Sequence, residues 1–271
     1  MSKIVFIGGG NMASCLIGGM LANGFSKQDI MVSEPNKASR QRMASTYGIS
    51  TAADNNLAVS QADIVVLAVK PQVLGAVVSP LALALDHKPI VVSIAAGIPV
   101  NALQNWMGND LKIVRAMPNT PAMVKTGATG LFASQTLSAD QQSVIEKMFR
   151  AVGYACWVDK EAQIDAVTAV SGSGPAYFFL IYEAMQKVAQ ELGLDSTTSS
   201  QLTLHTALGA ARLALASDKD PCALRKQVTS PGGTTQAAIE SFQVQGLEDV
   251  FRTAMTSALD RAKEMSNEFS D

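Results

Sequence analysis

Near the amino terminus Ile4-Val5-Phe6-Ile7 runs directly into Gly8-Gly9-Gly10-Asn11-Met12-Ala13, and an amphipathic helical pattern follows. Small residues in this spacing, set between a strand and a helix, have separate roles. Gly8 allows a tight turn, Gly10 lets a pyrophosphate approach the backbone, and Ala13 lets helix and strand pack closely. A helix that starts here also offers free N–H groups and the positive end of its dipole to phosphates. The chemistry this predicts is dinucleotide binding.

Two further motifs combine glycines, hydroxyls and a proline ahead of a helix. Ser171-Gly172-Ser173-Gly174-Pro175 opens a long helical pattern, with exposed N–H groups expected at its start. Thr229-Ser230-Pro231-Gly232-Gly233-Thr234-Thr235 precedes a helix from Gln236 onward and offers several backbone donors and four hydroxyls. Such an N-terminus suits a carboxylate, although N-caps with helix-start prolines use the same residues for structure alone. Groups able to move a proton near neutral pH are scarce. The chain has two histidines: His87, in an exposed connection beside Lys88 and Pro89, and His205, expected to be packed or at an interface on an apolar helix.

The elements that must position these residues follow from periodicity. Short apolar runs at 3–8, 29–33, 63–69, 90–94, 111–116, 127–133 and 153–158 alternate with helical stretches, the pattern of a parallel sheet built from βαβ units. In such a sheet the ligand sits beyond the carboxyl ends of the strands. That edge carries Gly8–Ala13, Ser33-Glu34-Pro35-Asn36, Val69-Lys70-Pro71, Ala95-Ala96-Gly97 and Met117-Pro118-Asn119-Thr120-Pro121. After about residue 160 the pattern is helical, at 161–169, from near Pro175, and at 197–216, 220–228, 232–243 and 246–267. The chain is therefore read as α/β, with a Rossmann-like doubly wound sheet over 1–160 and an all-α domain over 161–271. Helix 202–216 is apolar around most of its circumference, which points to a subunit interface.

The second strand leaves cofactor choice open. Glu34 lies about 20 residues after Ala13, where an acid binds the 2′-hydroxyl of NAD. Ser33 donates equally well to a 2′-phosphate, and Asn36, Lys37 and Arg40 follow closely. The balance favours NADPH with Glu34 turned out to solvent, and NADH remains an alternative.

Composition narrows the class. Charged residues are 16% of the chain and apolar residues 48%, more apolar surface than one monomer of 271 residues easily hides, so an oligomer is expected. A net charge of −2 supplies no basic stripe for nucleic acid or an anionic membrane. Cys15, Cys156 and Cys222 are far apart, without metal-ligand spacing, which fits a reduced compartment. The amino-terminal strand is too short for a signal sequence and no uninterrupted apolar run is long enough to span a bilayer, so a cytoplasmic location is expected.

Taken together, Ile7-Gly8-Gly9-Gly10-Asn11-Met12, Ala68-Val69-Lys70-Pro71, Val92-Ser93-Ile94-Ala95-Ala96-Gly97, Arg115-Ala116-Met117-Pro118-Asn119-Thr120-Pro121, Val170–Tyr177 and Ser230–Thr235 resemble the pattern of the pyrroline-5-carboxylate reductases, in order and over essentially the whole chain. The resemblance implies reduction of 1-pyrroline-5-carboxylate to L-proline by NAD(P)H, the last step of proline biosynthesis. It implies cofactor contacts at Gly8, Gly9, Gly10, Asn11 and Met12, at Ser33 and Asn55, at Ala68, Val69, Lys70 and Pro71, and at Ala95, Ala96 and Gly97. The substrate carboxylate is implied on Ser230, Gly232, Gly233, Thr234 and Thr235, with Thr235 near the ring nitrogen as the catalytic group and no metal. It further implies a homo-oligomer, a dimer or a ring of dimers, in which the helical half of one chain completes the cofactor domain of its partner. Gln227 stands where some members carry Asn, which leaves one polar contact to the cofactor open.

The implied chemistry agrees with the scarcity of acid–base groups. A protonated imine is already electrophilic, so orientation supplies much of the catalysis, whereas oxidation of a hydroxy acid needs a tuned proton acceptor. A hydroxy-acid dehydrogenase on the same fold and a non-catalytic NADP-binding sensor are the alternatives.

Overall fold

The structure, a computed structural model, describes residues 2–108 and 110–269. Strands and helices alternate as β1 (Ile4–Ile7), α1 (Asn11–Ala22), β2 (Ile30–Ser33), α2 (Lys37–Tyr47), β3 (Ser50–Ala52), α3 (Asn55–Val59), β4 (Ile64–Leu67), α4 (Pro71–Val78), β5 (Ile90–Ser93), α5 (Val100–Met107), β6 (Ile113–Met117), β7 (Gly127–Ala133), α6 (Ala139–Arg150) and β8 (Gly153–Trp157). The strands form one sheet in the order β3-β2-β1-β4-β5-β6-β7-β8. The order reverses at β1, so its exit lies between those of β2 and β4, the place where doubly wound sheets take their ligands.

Every residue of β1, β4 and β5 is buried, because helices cover both faces. Alternation along the strands splits the core in two. Ile4 and Phe6 pack with Leu16, Ile17 and Met20 of α1 and with Ile145, Met148 and Phe149 of α6. Val5 and Ile7 face the opposite way, toward Val59, Leu74, Val78, Leu103 and Met107. Burial of each large side chain contributes about 1.5–3 kcal/mol, so this sandwich holds the strand exits in register.

The sheet departs from the sequence reading in two places. Strand β3 shows no apolar alternation and exists only by pairing Ser50, Thr51 and Ala52 with Met31, Val32 and Ser33. Strand β7 runs antiparallel to β6, and only then does the sheet resume with β8 parallel to β7. The link from β6 to β7 holds a single 3-10 turn at Thr120–Val124, whereas a parallel return needs a crossover of a dozen or more residues.

Among the described residues six helices follow: α7 (Ala162–Val167), α8 (Gly174–Glu191), α9 (Ser196–Ala216), α10 (Pro221–Gln227), α11 (Thr234–Val244) and α12 (Leu247–Glu268). A π turn over Thr168–Gly172 joins α7 to α8. Side chains of Asp195 and Asp220 cap α9 and α10 by accepting from Thr198 N and Ala223 N. The last strand ends where the apolar pattern places it, but the compact units divide elsewhere. The first runs to Pro175 and recovers the chain from Ser257 onward; the second is Ala176–Thr256. Helix α7 belongs with the sheet because Val167 fills the space over Gly130, where a Cβ would lie 2.6 Å from Val167 Cγ2.

The second unit is helical and leaves much apolar surface uncovered. Phe178, Phe179 and Leu180 of α8 and Leu202, Leu208, Leu213 and Leu215 of α9 are exposed, Leu215 at 90%. Residues Ala162–Glu191 form a helical run long and apolar enough, by length and composition, to cross a membrane. Counting only uninterrupted apolar runs overlooks this stretch, since Asp165, Ser171 and Glu183 break it up.

In the first unit a buried cation ties three elements together. Arg115 of β6 donates from Nη1 to Glu161 Oε1 at 2.8 Å, and its Nη2 lies 3.8 Å from Asp165 Oδ1 of α7. The same Glu161 oxygen accepts from Val100 N at 2.7 Å, at the start of α5. Burial raises the Asp165 carboxyl above its ordinary value of 3.8, against the opposing pull of Arg115. The folded state therefore binds this proton more tightly than the unfolded chain. Asp165 favours folding less and less as pH climbs through the window just above 3.8. The stability of Asp165→Asn relative to the parent protein, measured by urea unfolding, is expected to increase between about pH 4 and 7. A difference independent of pH contradicts this account.

Candidate functional site

The glycine turn is built by the crowding of three strand exits. Gly8 N donates to Ser33 O at 2.8 Å, and Ala68 N donates to Ile7 O at 2.9 Å. Gly8 takes φ +99°, and a Cβ there would lie 2.8 Å from the Ala68 carbonyl oxygen and 2.9 Å from Val69 Cγ1. No other residue fits. Gly10 is the N-cap of α1 with no side chain capping the helix, and a Cβ there would meet no atom within 4 Å. The first turn of α1, Asn11 and Met12 included, thus opens on clear space with its amides unpaired inside the helix. Ala13 is buried against the sheet. This is the cradle a pyrophosphate requires, and the residues present fit a dinucleotide.

The corner at the end of β2 differs from expectation. Glu34 is not turned out to solvent: Oε2 accepts from Gly9 N and Oε1 from Asn36 N, both at 3.0 Å. The amides around the start of α1 and the helix dipole draw the carboxylate inward. Ser33 is fully buried, and its hydroxyl donates to Asn55 Oδ1 at 2.6 Å, linking β2 to the first residue of α3. Arg40 Nη1 is held by the carbonyl oxygens of Glu34 and Pro35, at 2.6 and 2.7 Å. Ser33, Glu34, Arg40, Asn55 and Gly9 therefore meet at one corner.

Along the same edge, β4 ends in half-buried Ala68 and Val69 and exposed Lys70, with Pro71 opening α4. Beyond β5, Ala95 and Gly97 are buried and Ala96 is half-buried. Gly97 takes φ +73°, and its missing Cβ would sit 2.9 Å from Met265 Cβ, so the end of α12 packs against this loop. All the cofactor residues expected from the sequence lie on this one edge. His87 does not: its Nε2 contacts Ala62 O at 2.9 Å, ahead of β4 at the opposite end of the strand.

Sequence reasoning passed over Asn119. It is buried, donates from Nδ2 to Ser171 O, and accepts at Oδ1 from Ala128 N, both at 2.9 Å. One side chain thus fastens the β6 exit, the start of β7 and the π turn. An asparagine between two prolines was the available signal; the sequence reading placed this segment on the ligand edge but gave the Asn119 side chain no role of its own.

The Ser171–Pro175 motif is also not a free helix start. Ser173 N donates to Thr168 O at 2.8 Å and the Ser171 hydroxyl to Val167 O at 3.0 Å, so α7 feeds into α8 through the π turn. A Cβ on Gly172 would lie 2.6 Å from Met117 Cε, the movable end of that side chain.

In the second unit, Ser230–Thr235 forms a turn at the start of α11. Gly232 has φ +72°, Gly233 N donates to Ser230 O at 3.0 Å, and Gly233 is an N-cap with no side chain over the helix. Thr234 is exposed and Thr235 half-buried. The helix begins at Thr234, between the two starts the sequence suggests, residue 232 from periodicity and Gln236 from the motif. Of the four hydroxyls counted there, that of Thr229 is committed to Arg225 O at 2.6 Å. The remaining three, with the first-turn amides, make an anion-seeking helix start.

Comparison with known proteins agrees with this geometry. Residues 161–265 match the family model for pyrroline-5-carboxylate reductase dimerisation. Residues 3–97 match the model described as NADP oxidoreductase coenzyme F420-dependent. The pyrroline-5-carboxylate reductase of Pseudomonas aeruginosa is 50% identical, the alignment covering 98% of this chain and 97% of that protein. Pyrroline-5-carboxylate reductase 2 of Bacillus subtilis is 34% identical over 99% of this chain and 97% of that protein. A solved pyrroline-5-carboxylate reductase from Coxiella burnetii superposes with a TM-score of 0.94 at 45% identity, covering 98% of each chain. One from Plasmodium falciparum, with NADP bound, gives 0.85 at 28% identity, also covering 98% of each. The uncovered helices α8 and α9 fall within the segment matched to the dimerisation model, which accounts for their apolar surface through self-association. Sheet, glycine turn and helical half agree with these relatives along the whole chain, and the chain belongs to the pyrroline-5-carboxylate reductase family.

Proposed function

We propose that this chain reduces 1-pyrroline-5-carboxylate to L-proline with NADPH. The observation that carries the proposal is the pairing, in one chain, of an uncapped glycine turn at Gly8–Met12 with an uncapped helix start at Ser230–Thr235. Family membership does not favour the hydroxy-acid dehydrogenase or sensor alternatives. Functionally, 1–160 holds the dinucleotide, and 161–271 binds substrate and joins subunits into a dimer or a ring of dimers. A cytoplasmic location belongs to the same reading.

In this mechanism the Gly8–Met12 turn holds the pyrophosphate. Asn55, held by the buried Ser33 hydroxyl, meets the adenosine ribose at the end of β2, while Ala68–Pro71 and Ala95–Gly97 line the path toward the reacting end. When bound, the reduced nicotinamide supplies the hydride. The substrate carboxylate rests on the turn built from Ser230, Gly232, Gly233, Thr234 and Thr235, which fixes the ring relative to the donor. Orientation of this kind is worth up to about 7–11 kcal/mol. The Thr235 hydroxyl hydrogen-bonds the ring nitrogen, directly or through a water, and keeps it protonated, so the imine carbon remains electrophilic. Proline carries the same carboxylate and competes for the same turn.

The first test follows NADPH absorbance with purified protein and racemic 1-pyrroline-5-carboxylate, with proline quantified as product. Stoichiometric conversion supports the proposal; bound NADPH without turnover overturns it. Thr235→Ala is expected to lower kcat/KM for the imine by about 10²-fold while NADPH affinity stays nearly constant. Equal activity in the two proteins removes Thr235 from the reaction.

Cofactor preference gives a separate prediction. A 2′-phosphate at the Ser33 corner has to approach the Glu34 carboxylate, whereas Arg40 is already held beside it. Glu34→Ser is expected to raise the ratio of kcat/KM with NADPH to that with NADH by about tenfold, measured at low ionic strength. A ratio that stays constant or falls shows that Glu34 does not oppose the phosphate.

A further inference from the structure

Gln236, the third residue of α11, folds back over the turn that precedes its own helix. Its Oε1 accepts from Gly232 N at 2.7 Å, and its Nε2 donates to Glu240 Oε1 at 2.7 Å, one helical turn farther on. The two partners fix the orientation of the amide. A backbone N–H only donates and a carboxylate only accepts, so the flipped amide loses both contacts. Gly232 is the residue that benefits, because its left-handed φ of +72° is held in place, and a glycine has the most freedom to lose on ordering.

Three successive positions of the turn offer no free amide. Pro231 has none, Gly233 N is spent on Ser230 O, and Gly232 N is taken by Gln236. The donors with no intrahelical partner are those of the first turn, which include Thr234 and Thr235.

We infer that Gln236, oriented by Glu240, is a positioning residue that presets the 230–235 turn and directs the substrate carboxylate to the amides of Thr234 and Thr235 instead of Gly232. This rests on the reading of the turn as the carboxylate holder. Without Gln236 the turn has to be ordered at the expense of binding. A substrate seated on the ordered turn meets the same hydride donor as in the parent enzyme. The effect therefore falls on KM for the imine and leaves kcat alone.

The test uses the full-length enzyme with saturating NADPH and varied 1-pyrroline-5-carboxylate. Gln236→Ala is expected to raise KM about fivefold at unchanged kcat and unchanged KM for NADPH, with the inhibition constant for proline rising in parallel. Gln236→Met, which keeps the length of the side chain without its polar head, is expected to behave the same way. Glu240→Ala gives a smaller rise, the double variant with Gln236→Ala matches the single Gln236→Ala, and Glu240→Gln restores the parent value because its amide oxygen still accepts. If Gln236→Ala and Gln236→Met leave KM unchanged while Thr235→Ala loses activity, the turn keeps its role and the inference about Gln236 is overturned. If all three leave the kinetics unchanged, the reading of the turn falls as well. Additive effects of Gln236→Ala and Glu240→Ala show that the two act independently, which also overturns the relay.

Discussion

The architecture of the first unit depends on how closely three strands approach one another at Gly8. The exit of β1 is bonded on one side to Ser33 and on the other to Ala68, leaving no room for a Cβ between them. Any side chain there would force β4 away from β1, separating the residues that the two core layers hold in register. The same crowding turns the chain sharply enough for α1 to begin with its amides exposed at the sheet edge. Packing and the proposed anion site thus have a single cause, the absence of one methyl group at a point where three segments meet.

A second theme links the two halves. Each glycine turn that the mechanism uses is already engaged by an acceptor from its own unit: Glu34 on Gly9 N, and Gln236 on Gly232 N. A turn rich in glycine is entropically costly to order, and an acceptor at one of its amides pins it before any ligand arrives. The two devices differ in charge. A carboxylate beside the proposed phosphate site sets a preference among anions, whereas a neutral amide beside the proposed carboxylate site shapes the turn without repelling the substrate.

Much of this was legible in the sequence, and the exceptions have physical reasons. Apolar periodicity located β1, β2, β4, β5, β6, β7 and β8 and the helices after residue 160, most clearly β1, β4 and β5, where burial on both faces leaves a continuous apolar signature. Strand β3 was invisible, as three polar or small residues are held only by their neighbour β2. The direction of β7 was hidden because strand direction depends on the length and content of the link, not on the strand. Glycine positions at the site were readable, since backbone conformation restricts the residue type. Side-chain partners were not: the inward turn of Glu34, the three-way bond of Asn119 and the fold-back of Gln236 connect atoms whose proximity exists only once the backbone is placed. Helices α8 and α9 carried the complementary signal, apolar faces that this chain alone does not cover.

The claim at the centre of this account is that the Ser230–Thr235 turn recognises a carboxylate and thereby places the imine for reduction. The most direct measurement compares kcat/KM for 1-pyrroline-5-carboxylate with that for 1-pyrroline, the same ring without its carboxylate, at saturating NADPH. Loss of two or more charge-assisted hydrogen bonds predicts a decrease of about 10²-fold or more for the unsubstituted ring. Comparable values for the two rings would contradict the account, since the turn would then contribute nothing to substrate recognition.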